Sequence, residues 1–401
     1  MNENKIQLAH YKAAVEIELQ ALLNWWRTYT VDEKHGGFYG EVGNDNKAIF
    51  GSPKGIVLNS RILWTFSAAF LLKQNEENLI IAKRAFHYIL ERFYDSSNGG
   101  FYWSLSANGE MLDGKKQIYG QAFTIYGLAE YYKVTGDERA LELAKDTYRL
   151  IEKHSFDPVN LGYIEAFDQD WQMLADLRLS DKDLNAEKSM NTHLHIIEAY
   201  ANLYLIWKDE QLAKAIKQLL FVFKEYIITE TNHLSLFFSV NWKPQSSLIS
   251  YGHDIEAAWL LQECAEILGD PEEIVVFKTL ALNLTNAVND GLDKDGGMYY
   301  EYDPSIDHLV REKHWWPQAE AMVGFFNAYQ LTANADFLLK SIRSWNFIGA
   351  MLKDHKNGEW YWGIYPDGTL MKENKAGFWK CPYHNGRACM EVLKRASTIC
   401  V

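Results

Sequence analysis

Ionisable or amide side chains recur in this sequence at the beginning of six apolar segments. The segments are residues 59–64, 119–123, 191–196, 251–256, 315–320 and 383–387. Together they carry His195, His253, His384, Arg61, Arg387, Glu256 and Glu320. Histidine accepts and donates protons near neutral pH, and an arginine stabilises developing negative charge. Such a set favours removal of a carbon-bound proton beside a carbonyl group, with an arginine stabilising the enolate.

The same residues allow two other kinds of site. Glu256 and Glu320 keep glycoside hydrolysis open, because that reaction uses a pair of carboxylates. His193 and His195 resemble a pair of metal ligands, but side chains two positions apart on a helix diverge by about 200°. The motifs GxGxxG, GxxxxGK[ST], GxSxG and HExxH do not occur where they would indicate cofactor, phosphate, serine or zinc chemistry. We therefore predict a site that uses neither a metal nor a cofactor.

A short phrase of turn residues followed by aromatic residues recurs about every 62 residues, which indicates an internal repeat. Its copies are residues 36–39, 99–102, 161–164, 296–299 and 358–361, with a degenerate copy at 233–237. Polar and glycine residues followed by alternating aromatic residues are typical of a short strand or hairpin. Between the phrases, apolar residues fall three and four apart, as at 80–90 and 212–216, which predicts helices.

Each repeat has room for two helices and one strand-like turn. We predict an all-α fold, a single (α/α)6 barrel over residues 1–401, with six inner and six outer helices and short β-hairpins or strands in the loops. An open solenoid is the alternative. Closure is favoured because six units suit a ring and neither end of the chain resembles a polar cap. The six segments are nearly all apolar after their first turns, so they belong to the inner ring, and their polar first turns meet at one mouth.

The composition indicates which binding partners and which cellular location to expect. Lysine and arginine number 40 against 53 acidic residues, a net charge of −13, and no long basic run occurs. Nucleic acid and anionic membranes are therefore not expected as partners. The first 20 residues lack the apolar region of a signal peptide, so a cytoplasmic protein is expected. Cys264, Cys381, Cys389 and Cys400 form no CxxC pair, which favours free thiols.

Residues 188–195, 250–256, 315–320 and 377–387, together with 59–61, carry a family resemblance. The sequence resembles the N-acylglucosamine 2-epimerase superfamily, and within it most closely the cellobiose 2-epimerases. The resemblance implies a cofactor-independent sugar epimerase on an (α/α)6 barrel. Its implied substrates are β-1,4-linked disaccharides such as cellobiose or lactose, inverted at C2 of the reducing-end glucose.

The resemblance also implies a role for individual residues. His384 and His253 would exchange the C2 proton, and His195 would move protons at the ring and hydroxyl oxygens. Arg61 would stabilise the enediolate. The implied substrate-binding residues are Tyr119, Asn191, Glu256, Trp316 and Trp379, of which the two tryptophans would stack on the sugar.

Ring geometry alone would oppose His195 and His384, because the third unit faces the sixth, and pairing His384 with His253 comes from the resemblance. Alternatives are a mannose 2-epimerase, an N-acylglucosamine 2-epimerase and an aldose–ketose isomerase. More remote ones are an (α/α)6 glycoside hydrolase using Glu256 and Glu320 and a non-catalytic sugar-binding barrel. Substrate preference is expected to depend on loops that include residues 243–247 and 373–376.

Overall fold

The computed structural model describes residues 3–399, and within them the chain is mostly helical, with twelve α-helices. The odd-numbered helices are α1 (Glu3–Tyr29), α3 (Glu76–Tyr88), α5 (Glu138–His154), α7 (Glu210–Val222), α9 (Pro271–Ala287) and α11 (Ala335–Phe347). The even-numbered helices are α2 (Ile56–Lys73), α4 (Ile118–Thr135), α6 (Met190–Ile206), α8 (Tyr251–Leu268), α10 (Trp315–Thr332) and α12 (Tyr383–Ile399). The mostly helical fold class is confirmed.

The even-numbered helices form the inside of the molecule. They are buried along most of their length, and α2 packs on α4, α4 on α6, α6 on α8, α8 on α10 and α10 on α12. Helix α12 packs back on α2, so the order of contacts closes on itself. A helix that is apolar on every side is stable only when it is buried all round, which is why these segments face one another.

The odd-numbered helices cover the inner ones, each lying against the inner helix of its own unit. They are amphipathic: α5, for example, buries Ala140, Leu141, Ala144 and Tyr148 on one face. Asparagine or aspartate caps the N-terminus of α3, α5, α7, α9 and α11, and each side chain accepts a backbone N–H of the first turn. These caps fix the point at which each outer helix begins.

Twelve short strands lie in the loops of the described chain. They are β1 (Lys54–Gly55), β2 (Ser104–Leu105), β3 (Met111–Asp113), β4 (Lys116–Gln117), β5 (Ala166–Phe167), β6 (Lys188–Ser189), β7 (Phe237–Phe238), β8 (Ile249–Ser250), β9 (Glu301–Asp303), β10 (His308–Val310), β11 (Lys313–His314) and β12 (Gly363–Ile364). All pairings are antiparallel, in the groups β1-β2-β3, β8-β9-β10, β11-β12, β4-β5 and β6-β7. Strands β1, β4, β6, β8 and β11 run directly into inner helices, so these pairings position the first turns.

The repeated aromatic phrases form tight hairpins, each held by a single antiparallel bridge. The bridges are Val31↔Phe38, Tyr94↔Phe101, Phe156↔Tyr163, Ile228↔Leu234, Leu292↔Met298 and Lys353↔Trp360. The copy at 233–237 has the same bridge as the others, so the six-fold repeat is confirmed.

Five lysine–aspartate pairs, each with a buried lysine, tie these hairpins to the chain near the inner helices. The pairs are Lys54–Asp32, Lys116–Asp95, Lys188–Asp157, Lys313–Asp293 and Lys375–Asp354, with N···O distances of 2.6 to 2.9 Å. A buried charge is tolerated only when it is paired and hydrogen-bonded, so each pair restrains the loop that carries it. This second repeat was not predicted from the sequence.

Helix α2 is long and apolar enough to cross a membrane by composition, yet 83% of it is buried inside the protein, as expected of a core helix. Cys264, Cys381 and Cys389 are free and buried in the part of the chain that the structure describes, and Cys400 lies outside it. The cytoplasmic location stays a prediction.

Candidate active site

A cavity of about 690 Å³ opens where the first turns of the inner helices meet. All nine residues predicted for the site line it, namely Arg61, Tyr119, Asn191, His195, His253, Glu256, Trp316, Trp379 and His384. They come from all six inner helices or from the residues just before them, as the register of the six segments predicts.

Arg61 projects from α2 into this cavity and is 2% exposed. Its guanidinium donates to the Tyr119 hydroxyl at 2.6 Å and to the Trp379 carbonyl at 3.4 Å. The rings of Phe123 and Tyr383 lie 4.0 and 4.7 Å from its central carbon. No carboxylate pairs with Arg61 among residues 3–399. A buried cation without an anionic partner favours an anionic ligand or intermediate.

His384 is held by a carboxylate behind it. Its Nδ1 lies 2.7 Å from Glu320 Oε1, which also accepts from the Arg387 guanidinium. Because that oxygen is an acceptor, the imidazole donates through Nδ1 and offers Nε2 as a base. Burial, with the charges of Arg61 and Arg387, holds the pKa of His384 well below its usual range.

His195 has a similar arrangement on α6. Its Nδ1 lies 2.9 Å from Glu198 Oε2, one helical turn further along. The ring meets Tyr119 edge-on, with ring centres 5.0 Å apart, and packs on Phe123 at 4.5 Å. These contacts fix the orientation of the imidazole beside Arg61, whose guanidinium touches the same two aromatic rings.

His253 has a hydroxyl partner in place of a carboxylate. Its Nδ1 lies 2.8 Å from Ser250 Oγ, and its ring packs on Trp316 with centres 4.6 Å apart. Burial, with a smaller contribution from His195, lowers the pKa of His253 to about 3. His253 is therefore neutral at ordinary pH and can accept a proton.

Trp316 and Trp379 supply flat apolar surfaces to the cavity. Trp316 lies between His253 and His384, 5.6 Å from the latter. Its position depends on Gly252 in the neighbouring helix, where an added Cβ would lie 2.5 Å from the Trp316 ring. The apolar face of a sugar ring can stack on such a surface while its hydroxyls reach the polar groups beside it.

Glu256 and Asn191 add hydrogen-bonding capacity to the wall. Burial and the neighbouring Glu320 raise the pKa of Glu256 to about 7, so it can act as a donor or an acceptor. Asn191 Oδ1 is buried and makes no hydrogen bond within residues 3–399. An unsatisfied buried oxygen is costly, so a ligand hydroxyl is a fitting partner for it.

Two groups of side chains in or near the cavity could be taken for metal ligands. Ligand atoms of Glu256, Glu320 and His384 lie within 4.8 Å of one another. Arg387 donates to both of these carboxylates, so a fixed cation already lies between them. His193, outside the residues that line the cavity, accepts from the Tyr163 N–H and bonds to the Ser189 carbonyl. It is a structural histidine. The cofactor-free site stays a prediction.

Several site features were missed in the sequence. Glu198 was not singled out, although the spacing of three from His195 places both on one helix face. The loop at residues 177–184 lines the cavity, whereas of the two expected loops only Glu373 lines it in the described chain. Tyr300, whose ring is stacked on His314 with centres 4.0 Å apart, also lines the cavity. Loop residues without periodicity carry no signal of what they face.

Comparison with known proteins assigns the chain to a family. A sequence profile of the N-acylglucosamine 2-epimerase (GlcNAc 2-epimerase) family matches residues 37–388. This chain belongs to that family. The cellobiose 2-epimerase of Bacteroides fragilis is 46% identical over 374 residues, which cover 93% of this chain and 95% of that protein. The cellobiose 2-epimerase of Dictyoglomus turgidum is 40% identical over 366 residues, covering 91% and 93%.

A solved structure agrees with the family assignment. The cellobiose 2-epimerase from Bacillus thermoamylovorans B4167 superimposes with a TM-score of 0.92 and 36% identity, covering 96% of this chain and 100% of that one. Members of this family are carbohydrate epimerases, which are isomerases. The predictions of a family resemblance, of an isomerase and of a sugar 2-epimerase are therefore confirmed.

Proposed function

We propose that this protein inverts C2 of the reducing-end glucose or mannose unit of β-1,4-linked disaccharides, on a single (α/α)6 barrel that spans residues 1–401. The observation that carries the proposal is the set of three imidazoles on one cavity, of which His195 and His384 are buried and His253 is half-buried. Each has Nδ1 engaged by Glu198, Ser250 or Glu320, and Arg61, which pairs with no carboxylate within residues 3–399, lies beside them. Three imidazoles beside an arginine can transfer protons to and from an anionic intermediate.

The reaction begins with the closed sugar, whose C2 hydrogen is not acidic. His195 moves protons at the ring and C1 oxygens, so that the pyranose opens to its aldehyde. One neutral imidazole of the His253–His384 pair then removes the C2 proton as the electron pair moves toward the carbonyl. Arg61 stabilises the enediolate formed. The second imidazole, after taking up a proton from solvent, delivers it to the other face of C2, and the first imidazole releases its proton to solvent, which completes the inversion.

The remaining lining of the cavity supports a disaccharide substrate. Besides the predicted site residues, the cavity is lined by residues 177–184, by Trp362 and by Tyr300, Glu301 and His314. These residues combine aromatic surface with hydrogen-bonding groups, which suits a second sugar unit. The relatives compared above are named cellobiose 2-epimerases, and that agrees with this substrate class.

Product analysis tests this proposal. We expect cellobiose to give a disaccharide with mannose at its reducing end, identified by its anomeric NMR signals, and free mannose to turn over more slowly. Each sugar is incubated separately with the protein, at matched concentrations of cellobiose, glucose and mannose. A ketose product would instead indicate an isomerase, and release of monosaccharide from cellobiose would indicate a hydrolase.

A further inference from the structure

A buried arginine lies behind the histidines. Arg387, on α12, is 1% exposed. Its Nη1 donates to Glu198 Oε1 at 2.6 Å, and its Nη2 donates to Glu320 Oε1 at 2.7 Å and to Glu256 Oε1 at 2.5 Å. One guanidinium is therefore the shared partner of three carboxylates from three other helices.

Two of these carboxylates are the ones that hold imidazoles. Glu198 accepts from Arg387 through one oxygen and contacts His195 Nδ1 through the other. Glu320 Oε1 lies at 2.7 Å from both Arg387 Nη2 and His384 Nδ1. The orientations of His195 and His384 therefore depend on the same guanidinium, although the two histidines lie on different helices.

The plane of the guanidinium is itself fixed. The Tyr383 ring lies 4.1 Å from its central carbon and the Trp259 ring 4.8 Å from it. Trp259 Nε1 also donates to the second oxygen of Glu320 at 3.1 Å. A planar fork with fixed donors holds two carboxylates at a set angle, which the single ammonium group of lysine cannot do.

Arg387 is not among the described residues that line the cavity, so a substrate would meet the histidines and not the guanidinium. We propose that Arg387 is a positioning residue that holds His195 and His384, through Glu198 and Glu320, with their Nε2 atoms available to the substrate. This inference rests on the proposed function, because it assigns those two histidines to proton transfer.

The first test compares Arg387→Lys with Arg387→Met. Replacing a residue that supports a functional histidine indirectly typically lowers activity about 10- to 100-fold. We expect kcat on cellobiose to fall about tenfold in Arg387→Lys and about a hundredfold in Arg387→Met, with KM changed less than kcat. Arg395→Lys and Arg395→Met are the matched controls, because Arg395 lies two turns further on the same helix and bonds to Asn327, Gln330 and Glu391.

The pH profile separates positioning from a purely structural role. The charged and titratable groups around His384 are Arg61 from α2, His195 and Glu198 from α6, Glu256 from α8, Glu320 from α10 and Arg387 from α12. The base must be neutral, so in the wild type the acid limb of kcat/KM falls below the usual imidazole value of about 6.5. Arg387→Met removes a positive charge that lowers the pKa of His384, so its acid limb moves to higher pH.

Removing a buried charge can prevent folding, so a second measurement uses variants that keep charge or shape. Arg387→Lys, Glu320→Gln and the double variant form a double-mutant cycle. Because Arg387 acts through Glu320, we expect the double variant to be clearly less impaired than the product of the two single effects.

The wild type is assayed first, so that an inactive wild type contradicts the proposed function and not the role of Arg387. Folded Arg387→Lys with unchanged kcat would overturn the positioning role. The positioning role would also be overturned if the effects of Arg387→Lys and Glu320→Gln on kcat simply multiplied in the double variant. An acid limb that stays in place in a folded Arg387→Met protein would do the same.

Discussion

The His384→Ala and His253→Ala variants are each expected to lose at least about a hundredfold in epimerisation rate, because a general acid–base group contributes about 10²–10⁴-fold. Inversion needs one proton transfer on each face of C2, so the loss of either imidazole blocks the net reaction. The cavity wall formed by Trp316, Trp379 and Tyr119 remains in both variants, so much of the sugar binding should persist. Initial rates on cellobiose, with folding checked by circular dichroism, measure the effect.

The two variants are further distinguished by solvent exchange. A variant that keeps the base for the glucose-type epimer can exchange its C2 hydrogen with heavy water without inverting it. The other variant should exchange only from the mannose-type epimer. His10→Ala, an exposed substitution on α1, is the control and should retain full activity. Near-normal turnover in either active-site variant would contradict the role of that histidine, and His195 would then be the next residue to replace.

Arg61→Met is expected to lower kcat about 10²–10³-fold, the range for losing a donor that stabilises a developing oxyanion. The substrate is neutral and the enediolate is anionic, so the interaction is stronger in the transition state, and kcat should fall more than KM rises. Arg61→Lys keeps the charge but cannot keep both the Tyr119 and the Trp379 contacts. Its kcat should therefore lie between those of the wild type and of Arg61→Met.

Steady-state kinetics on cellobiose give both constants for these variants. Arg149→Met is the control, because Arg149 is exposed on α5 and forms a salt bridge only with Asp146 among the described residues. If KM rose in Arg61→Met while kcat stayed unchanged, Arg61 would bind the substrate without stabilising the intermediate.

The sequence was sufficient for the regular parts of the fold and for the residues on the cavity. Helix periods of three and four residues and a phrase that recurs about every 62 residues specify alternating inner and outer helices. Because equivalent residues of a repeat occupy equivalent places, segments such as 191–196 and 383–387 had to converge at one end. That is why all nine predicted residues line one cavity.

The remaining features depend on contacts between distant parts of the chain. Arg387 was visible as a ring residue, but nothing in the sequence shows that it joins Glu198 to Glu320, which lie 189 and 67 positions away. The lysine–aspartate pairs likewise connect residues that only the folded loops bring together. The loop at 177–184 has no periodicity, so its position over the cavity could not be deduced.

Deuterium incorporation tests most directly the claim that protons, and not hydrides or carbon fragments, move at this site. Cellobiose is incubated with the protein in heavy water, and the product is examined by NMR and mass spectrometry. We predict one solvent deuterium at C2 of the mannose-type reducing end, because the second imidazole delivers a proton that has exchanged with solvent. A mannose-type product that keeps its original C2 hydrogen and contains no deuterium would contradict the mechanism.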